Sequence, residues 1–253
     1  MKAFAKANIF LKLIGFDKRF YHCLQSRFIL INTLFDELFL SKDKQNSGFE
    51  LQSDFKCEDN IIFKAYALLR ENGFSNELDE CFKTHSLVLK KNIPLCAGLG
   101  GGSSDAACFL LLMNEELDLK ISKEKLMQMG FALGCDVPFF LSGYQSANVS
   151  GTGELVAEFD DEVPHLQFTF PQIQCSTALV YKEFDKGVFD FEKNAAQAKI
   201  FAKLSSKEVL EHKNTILNDL FTPCVNLYPK MSAFLEQNFF LSGSGSSVFK
   251  VLE

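Results

Sequence analysis

The stretch that most constrains this chain runs Pro94, Leu95, Cys96, Ala97, Gly98, Leu99, Gly100, Gly101, Gly102, Ser103, Ser104, Asp105, Ala106, Ala107. Four glycines in five positions leave backbone amides uncovered and permit positive φ angles that other residues resist. Two hydroxyl residues follow where a helix should begin, in positions suited to capping it. The apolar run Cys108 to Met113 comes directly after. Exposed amides at a helix N-terminus form an anion site, so the stretch predicts a polyphosphate cradle. A glycine-rich connector without a ligand is the alternative.

Known phosphate patterns do not fit. Counting from Gly98, the Walker spacing places Ser103 where a second glycine belongs, and no lysine follows. The dinucleotide spacing fits Gly98 and Gly100 and then also meets Ser103. An amide-lined helix N-terminus contributes only ~1–2 kcal/mol toward holding an anion. Positive groups must therefore come from elsewhere in the chain.

The remaining composition excludes several classes. With 253 residues, 47% of them hydrophobic, the chain has core enough for one large domain or two modest ones. A formal charge of −6 argues against nucleic-acid binding through a broad basic face. Eight cysteines, at 23, 57, 81, 96, 108, 135, 175 and 224, form no C-x-x-C pair. They read as reduced thiols of a cytoplasmic protein. No run reaches the ~20 apolar residues of a membrane span. No nucleophile elbow surrounds Ser104 or Ser244, and four dispersed histidines give no metal spacing. The 28 phenylalanines, with no tryptophan, indicate an aromatic-heavy core.

In chain order, residues 3 to 16 alternate as a strand, with Lys6 and Asn8 reading as a solvated face when taken alone. Extended segments follow near 24–31 and 37–41, although 28–40 also scores as a helix. Glu58-Asp59-Asn60 caps a helix closed by Asn72-Gly73. A strand at 87–90 feeds the glycine loop, and helices follow to about 117 and from Ser122 to Gly134. Asp136-Val137-Pro138 predicts an extended backbone, with strand-like chain from Phe139 to Ala157 around a tight turn at 150–153. An acidic connector near 158–165 marks a boundary between residues 1–157 and 158–253. Beyond it lie a strand at 166–170, helices near 194–204 and 230–238, and a capping box at Ser205 and Glu208. A closing hairpin turns through Ser242 to Ser247. Strands and helices without a regular βαβ rhythm indicate α+β.

The glycine loop resembles the phosphate motif of the GHMP kinases, and Leu241 to Phe249 resembles that superfamily's C-terminal glycine motif. Ala5 to Leu11, Tyr21-His22, Gly134 to Pro138 and Asn218-Asp219-Leu220 are similar, in order, to a branch whose substrate is a cytidyl diphosphate used in isoprenoid precursor synthesis. The resemblance covers essentially the whole chain. It implies an N-terminal ribosomal-protein-like α+β domain and a C-terminal ferredoxin-like α+β domain. It also implies ATP and Mg²⁺ as cofactors, with no nucleic-acid or membrane partner. Asp136 would take the proton of the acceptor hydroxyl, Lys6 would hold Asp136 ionised, and Asn8 would position the substrate. Tyr21 and Tyr181 would stack on the two faces of the cytosine, His22 would read its edge largely through backbone, and Thr177 would line the pocket. Asn60 and Lys91 would meet the adenine end of ATP. Residues 94, 95, 97–104, Gly243 and Ser244 would surround its phosphates. One departure is that Arg19-Phe20 stand before Tyr21-His22, where the family has Asp-Gly. Two other readings remain: a kinase of another small alcohol such as homoserine or mevalonate, and a nucleotide sensor without catalysis.

Overall fold

The structure, a computed structural model, describes residues 1–54 and 60–252; Cys57 and the capping positions Glu58 and Asp59 lie outside them. It is a mixed α+β fold whose contacts divide the chain into two interleaved compact units. The first holds Met1–Ala5, Ile31–Ile93 and Gly100–Gly143, and the second holds Lys6–Leu30, Pro94–Leu99 and Tyr144–Glu253.

Two long strands, β1 (Lys2–Phe16) and β2 (His22–Ser41), contribute to both units. The helical alternative for 28–40 fails because its buried positions, Phe28, Ile29, Ile31, Asp36 and Leu38, belong to one continuous strand that pairs with neighbours on both of its halves. In the first unit the C-terminal part of β2 pairs antiparallel with β4 (Ser86–Lys90), and β3 (Leu51–Ser53) lies parallel to β4. Helix α1 (Ile61–Leu69) opens on Asn60, whose side chain accepts from the Ile62 amide. A wide turn through Gly73, at φ 98°, then leads into α2 (Ser75–Thr84), which sequence reading missed. The glycine loop opens α3 (Gly101–Glu116), buried continuously from Ser104 to Leu110. Helix α4 (Lys123–Leu133) runs between Ser122 and Gly134 as expected.

Asp136-Val137-Pro138 departs from expectation. Asp136 is helical in φ and ψ (−83°, −16°), and Val137–Ser142 form α5 instead of the start of a strand. Proline is tolerated in a first helical turn, where its missing N–H has no intrahelical acceptor. The core of this unit packs Ile62, Leu69, Leu78, Leu89, Phe109 and Met113 together. Phe49 joins it, stacking on Tyr66 at 4.2 Å and meeting Phe82 edge-on.

In the second unit the N-terminal part of β2 pairs antiparallel with β5 (Ser146–Gly151), which forms a hairpin with β6 (Leu155–Glu158). Arg27 of β2 is fully buried; it donates to Asn148 and to the carbonyls of Ala202 and Leu204. A second antiparallel sheet orders β7 (Leu166–Thr169), β9 (Val248–Val251) and β8 (Phe240–Leu241). The helices are α6 (Thr177–Phe184), α7 (Phe191–Phe201), α8 (Ser206–Val209), α9 (Asn214–Leu217), α10 (Phe221–Leu227) and α11 (Ser232–Glu236). The Ser205–Glu208 capping box is present at α8. No helix among the described residues is long and apolar enough to cross a membrane.

Candidate active site

In the first unit, Gly100 takes a left-handed conformation (φ 69°) and no side chain caps α3. Neither Ser103 nor Ser104 therefore performs the capping their position suggested. A helix leaves its first amides without intrahelical acceptors, and no acidic side chain lies in this first turn to compete for them. Ser104 is buried, and its amide closes onto the Gly100 carbonyl at 2.8 Å. A Cβ at Gly101 would sit 3.0 Å from Ile93 Cγ2, whereas Gly102 is exposed. Asn60 uses its Oδ1 as the α1 cap, and Asp136 stands half-buried at the start of α5.

Lys91 donates to Asp36 and, at 2.8 Å, to Asp105. Burial pushes the Asp105 carboxyl up to about 7; Lys91 opposes this and the neighbouring Asp36 carboxylate adds to it. For Lys91, burial pulls the ammonium down, but the Asp105 and Asp36 carboxylates outweigh it and raise the ammonium overall.

In the second unit, Lys6, Asn8 and Lys12 share one face of β1, and all three are buried, Lys6 at 4% exposure and Asn8 at 1%. The solvated-face reading of Lys6 and Asn8 fails because alternation alone does not say what covers the polar side. Lys6 Nζ donates to Asn8 Oδ1 at 2.6 Å and lies 4.5 Å from the centre of the Phe28 ring. Asn8 Nδ2 donates to Ser26 Oγ, which donates to the Phe10 carbonyl. Lys12 pairs with Asp219, whose other oxygen accepts from the Leu13 amide and from Asn194. Burial raises the Asp219 carboxyl, with Lys12 opposing.

The residues 94–99 of the loop lie against the closing turn. The Leu99 carbonyl accepts from the Lys6 amide, Gly98 from Ser242 Oγ and Ala97 from the Ser247 amide. A Cβ on Gly98 would come within 2.3 Å of the Ser242 carbonyl, and one on Gly243 within 3.1 Å of the Gly98 carbonyl. Two glycine-rich backbones thus meet with no room for a side chain at Gly98 and little at Gly243. Asn218 holds the second of them, donating to the carbonyls of Leu241 and Gly243. Pro94 is half-buried and Leu95 exposed.

Ser244 is buried and shares a 2.8 Å hydrogen bond with Thr177 at the start of α6. One turn along that helix, the Tyr181 ring lies 5.0 Å from that of His22. His22 also bonds Asp185 at 2.7 Å and packs on Phe16. Tyr21 is 60% exposed, with the Arg19 guanidinium 5.1 Å from its ring centre. Phe20 adopts φ 63°, the glycine-like conformation of the position it occupies, and is 86% exposed. Asp17 closes this turn by accepting from the amides of Arg19 and Tyr21. Sequence reading missed Asp17, Ser26 and Asp185; Asp17 alone had a local signal, an acidic residue opening a charged turn.

A glycine loop that opens a buried helix, with its residues 94–99 packed on a second glycine turn in an α+β chain, is the arrangement the resemblance to GHMP-type small-molecule kinases leads one to expect. The family description "GHMP kinases N terminal domain" matches residues 60–144. A Campylobacter jejuni protein (subsp. jejuni serotype O:6) named 4-diphosphocytidyl-2-C-methyl-D-erythritol kinase is 62% identical, the match covering 99% of each chain. A Sulfurimonas denitrificans protein of the same name is 40% identical across 100% of this chain and 96% of its own. The chain belongs to the 4-diphosphocytidyl-2-C-methyl-D-erythritol kinase family. The crystal structure of a 4-(cytidine 5'-diphospho)-2C-methyl-D-erythritol kinase matches with a TM-score of 0.74 at 27% identity, covering 100% of this chain and 90% of that one.

Proposed function

We infer that this protein transfers the γ-phosphoryl group of ATP to the 2-hydroxyl of 4-diphosphocytidyl-2-C-methyl-D-erythritol, in isoprenoid precursor synthesis by the route that does not pass through mevalonate. The observation that carries this reading is full-length 62% identity to a kinase of that name. Phosphoryl transfer asks a protein mainly for positioning and positive charge, plus a group that orients the attacking hydroxyl. In this reading Asp136 accepts the hydroxyl proton, and Lys6 supplies positive charge that keeps the base ionised at neutral pH. Asn8, held by Ser26, positions the acceptor. Tyr21, His22, Thr177 and Tyr181 hold the cytidyl end. Residues 94, 95 and 97–104, with Gly243 and Ser244, surround the ATP phosphates, and Asn60 and Lys91 flank the nucleotide.

Mg²⁺ enters with ATP. It usually takes most of its ligands from phosphates and water, and the first turn of α3 fits such a complex, offering the half-buried Ser103 hydroxyl with no competing carboxylate. When bound, the ion neutralises developing charge on the phosphates. The reading also places the protein in the cytoplasm and divides it into functional domains 1–157 and 158–253.

Coupled ADP release tests the assignment. Turnover is expected with the cytidyl substrate and not with homoserine, mevalonate or galactose; the reverse pattern overturns it. Asp136→Asn is expected to lower kcat by roughly 10²–10⁴-fold, the usual contribution of a positioned base.

A further inference from the structure

The first unit contains a chain of charges of which the proposed function uses only Lys91. Asp36, at 0% exposure, accepts through Oδ1 from the amides of Asn92 (2.5 Å) and Ile93 (2.8 Å), and through Oδ2 from Lys91. One carboxylate therefore grips three consecutive residues immediately before Pro94. The Lys91 ammonium continues to Asp105 Oδ2, in α3 just past the glycine and serine run. Asp105 is 3% exposed, and its Oδ1 has no hydrogen-bond partner. The same ammonium would lie 3.4 Å from a Cβ at Gly101.

This arrangement is a poor device for stability alone. Two carboxylates face one ammonium in the interior, one oxygen is unsatisfied, and apolar residues of similar volume generally serve at least as well. What the charges supply that apolar packing cannot is direction. The backbone entering the loop is fixed through two amide hydrogen bonds to Asp36, and the Asp105 side chain on the helix leaving it is tied through the Lys91 ammonium to the same carboxylate.

We propose that Asp36, Lys91 and Asp105 are positioning residues that clasp the entry of the glycine loop to its exit, preorganising its amides for the nucleotide's polyphosphate. The inference rests on the nucleotide reading of the loop and gives Lys91 a role through the loop rather than through the base. Preorganised donors bind without first being ordered, so losing the clasp weakens affinity while leaving every phosphate contact in place. Groups that orient metal ligands from behind typically account for roughly 10–100-fold, and the same scale is expected for the clasp.

The test uses full-length Lys91→Met, Asp105→Asn, the double variant and Lys91→Arg. Steady-state kinetics are measured with ATP and GTP, and Mg²⁺–ADP binding is measured by calorimetry without acceptor. Each single variant is expected to raise the KM for ATP and the Kd for ADP roughly 10–100-fold, a larger change than any in kcat. ATP and GTP should suffer equally, the double variant should be no worse than the poorer single one, and Lys91→Arg should recover part of the loss. Asp105→Asn is nearly isosteric and carries the test if Lys91→Met does not fold. Nucleotide affinity unchanged in folded Asp105→Asn overturns the proposal. So does a loss in Lys91→Met that favours GTP over ATP and is absent from Asp105→Asn, since Lys91 would then read the base directly. A wild type that binds ADP but phosphorylates no cytidyl acceptor would sink the substrate assignment and leave the clasp testable by ADP binding.

Discussion

The two glycine turns look alike in sequence and differ in nearly every physical respect. The first, Gly98 to Gly102, is partly open: Leu95 and Cys96 just before it are exposed, as is Gly102 within it. It runs into a helix and is flanked by Lys91 and Asp105. The second lies within Leu241 to Phe249, every residue of which is buried, and this stretch contains no titratable side chain. Glycine serves different ends in the two. In the open turn it keeps side chains off the backbone where α3 begins. In the buried one it lets backbone approach backbone, so that Ser242 and Ser247 can donate to the loop carbonyls of Gly98 and Ala97. The buried turn is a support, and the exposed one is the part it supports.

Substitutions can break this comparison. Gly98→Ala should be the most damaging, because its Cβ would fall 2.3 Å from the Ser242 carbonyl at φ +74°, where backbone must move on both sides. A loss of about 3 kcal/mol or more in denaturant unfolding is expected, together with loss of turnover. Gly243→Ala meets the Gly98 carbonyl at 3.1 Å with φ +57°. About 1–3 kcal/mol is expected there, mostly left-handed backbone strain plus a small displacement. Equal destabilisation by the two would mean that clash geometry does not govern this contact.

The titratable flank supplies a pH test that the second turn cannot show. Asp105 has a folded-state value near 7, above its ordinary 3.8, so between those values the native state holds more protons than the unfolded chain. Its contribution to stability therefore falls as pH rises from about 4 to about 7 and then levels off. Lys91 and Asp36 face this carboxyl. Thermal melts of Asp105→Asn across that window should lose this downward component relative to wild type, and parallel curves would refute it. Gly102→Ala should have the smallest effect on folding. Its backbone is helical and its Cβ would lie 3.8 Å from Ile61, so stability should change by no more than about 1 kcal/mol, in the favourable direction. The KM for ATP should still rise if phosphate approaches that backbone. A variant that is stabilised and unchanged in KM would remove Gly102 from the nucleotide site.

Much of the fold was legible where local chemistry decides it. The capping residues Asn60, Ser122 and Ser205 mark helix starts, and the helix after the glycine loop ends within a residue of its expected position. The failures have a common cause. Helices α2 and α6 were passed over, and α5 was read as strand because a proline after Val137 was taken to extend the chain when it opens a helix. Lys6 and Asn8, taken alone, read as a solvated face although both are buried, for a related reason: strand alternation reports which residues share a face, and not whether that face meets water.

The sequence alone determined that a glycine-rich backbone precedes a helix and that it lacks its own lysine, because both are facts of local order. It also carried the family, since motifs spread from Ala5 to Phe249 keep their order along the chain. Only the tertiary structure decided that Gly98 and Gly243, 145 positions apart, lie so close that a Cβ on Gly243 would fall 3.1 Å from the Gly98 carbonyl, that Ser26 holds Asn8, and that Asp36 and Asp105 share one ammonium. Those pairings bring together residues far apart in the chain through strand register and backbone packing, and composition and periodicity carry no record of which distant residues will meet.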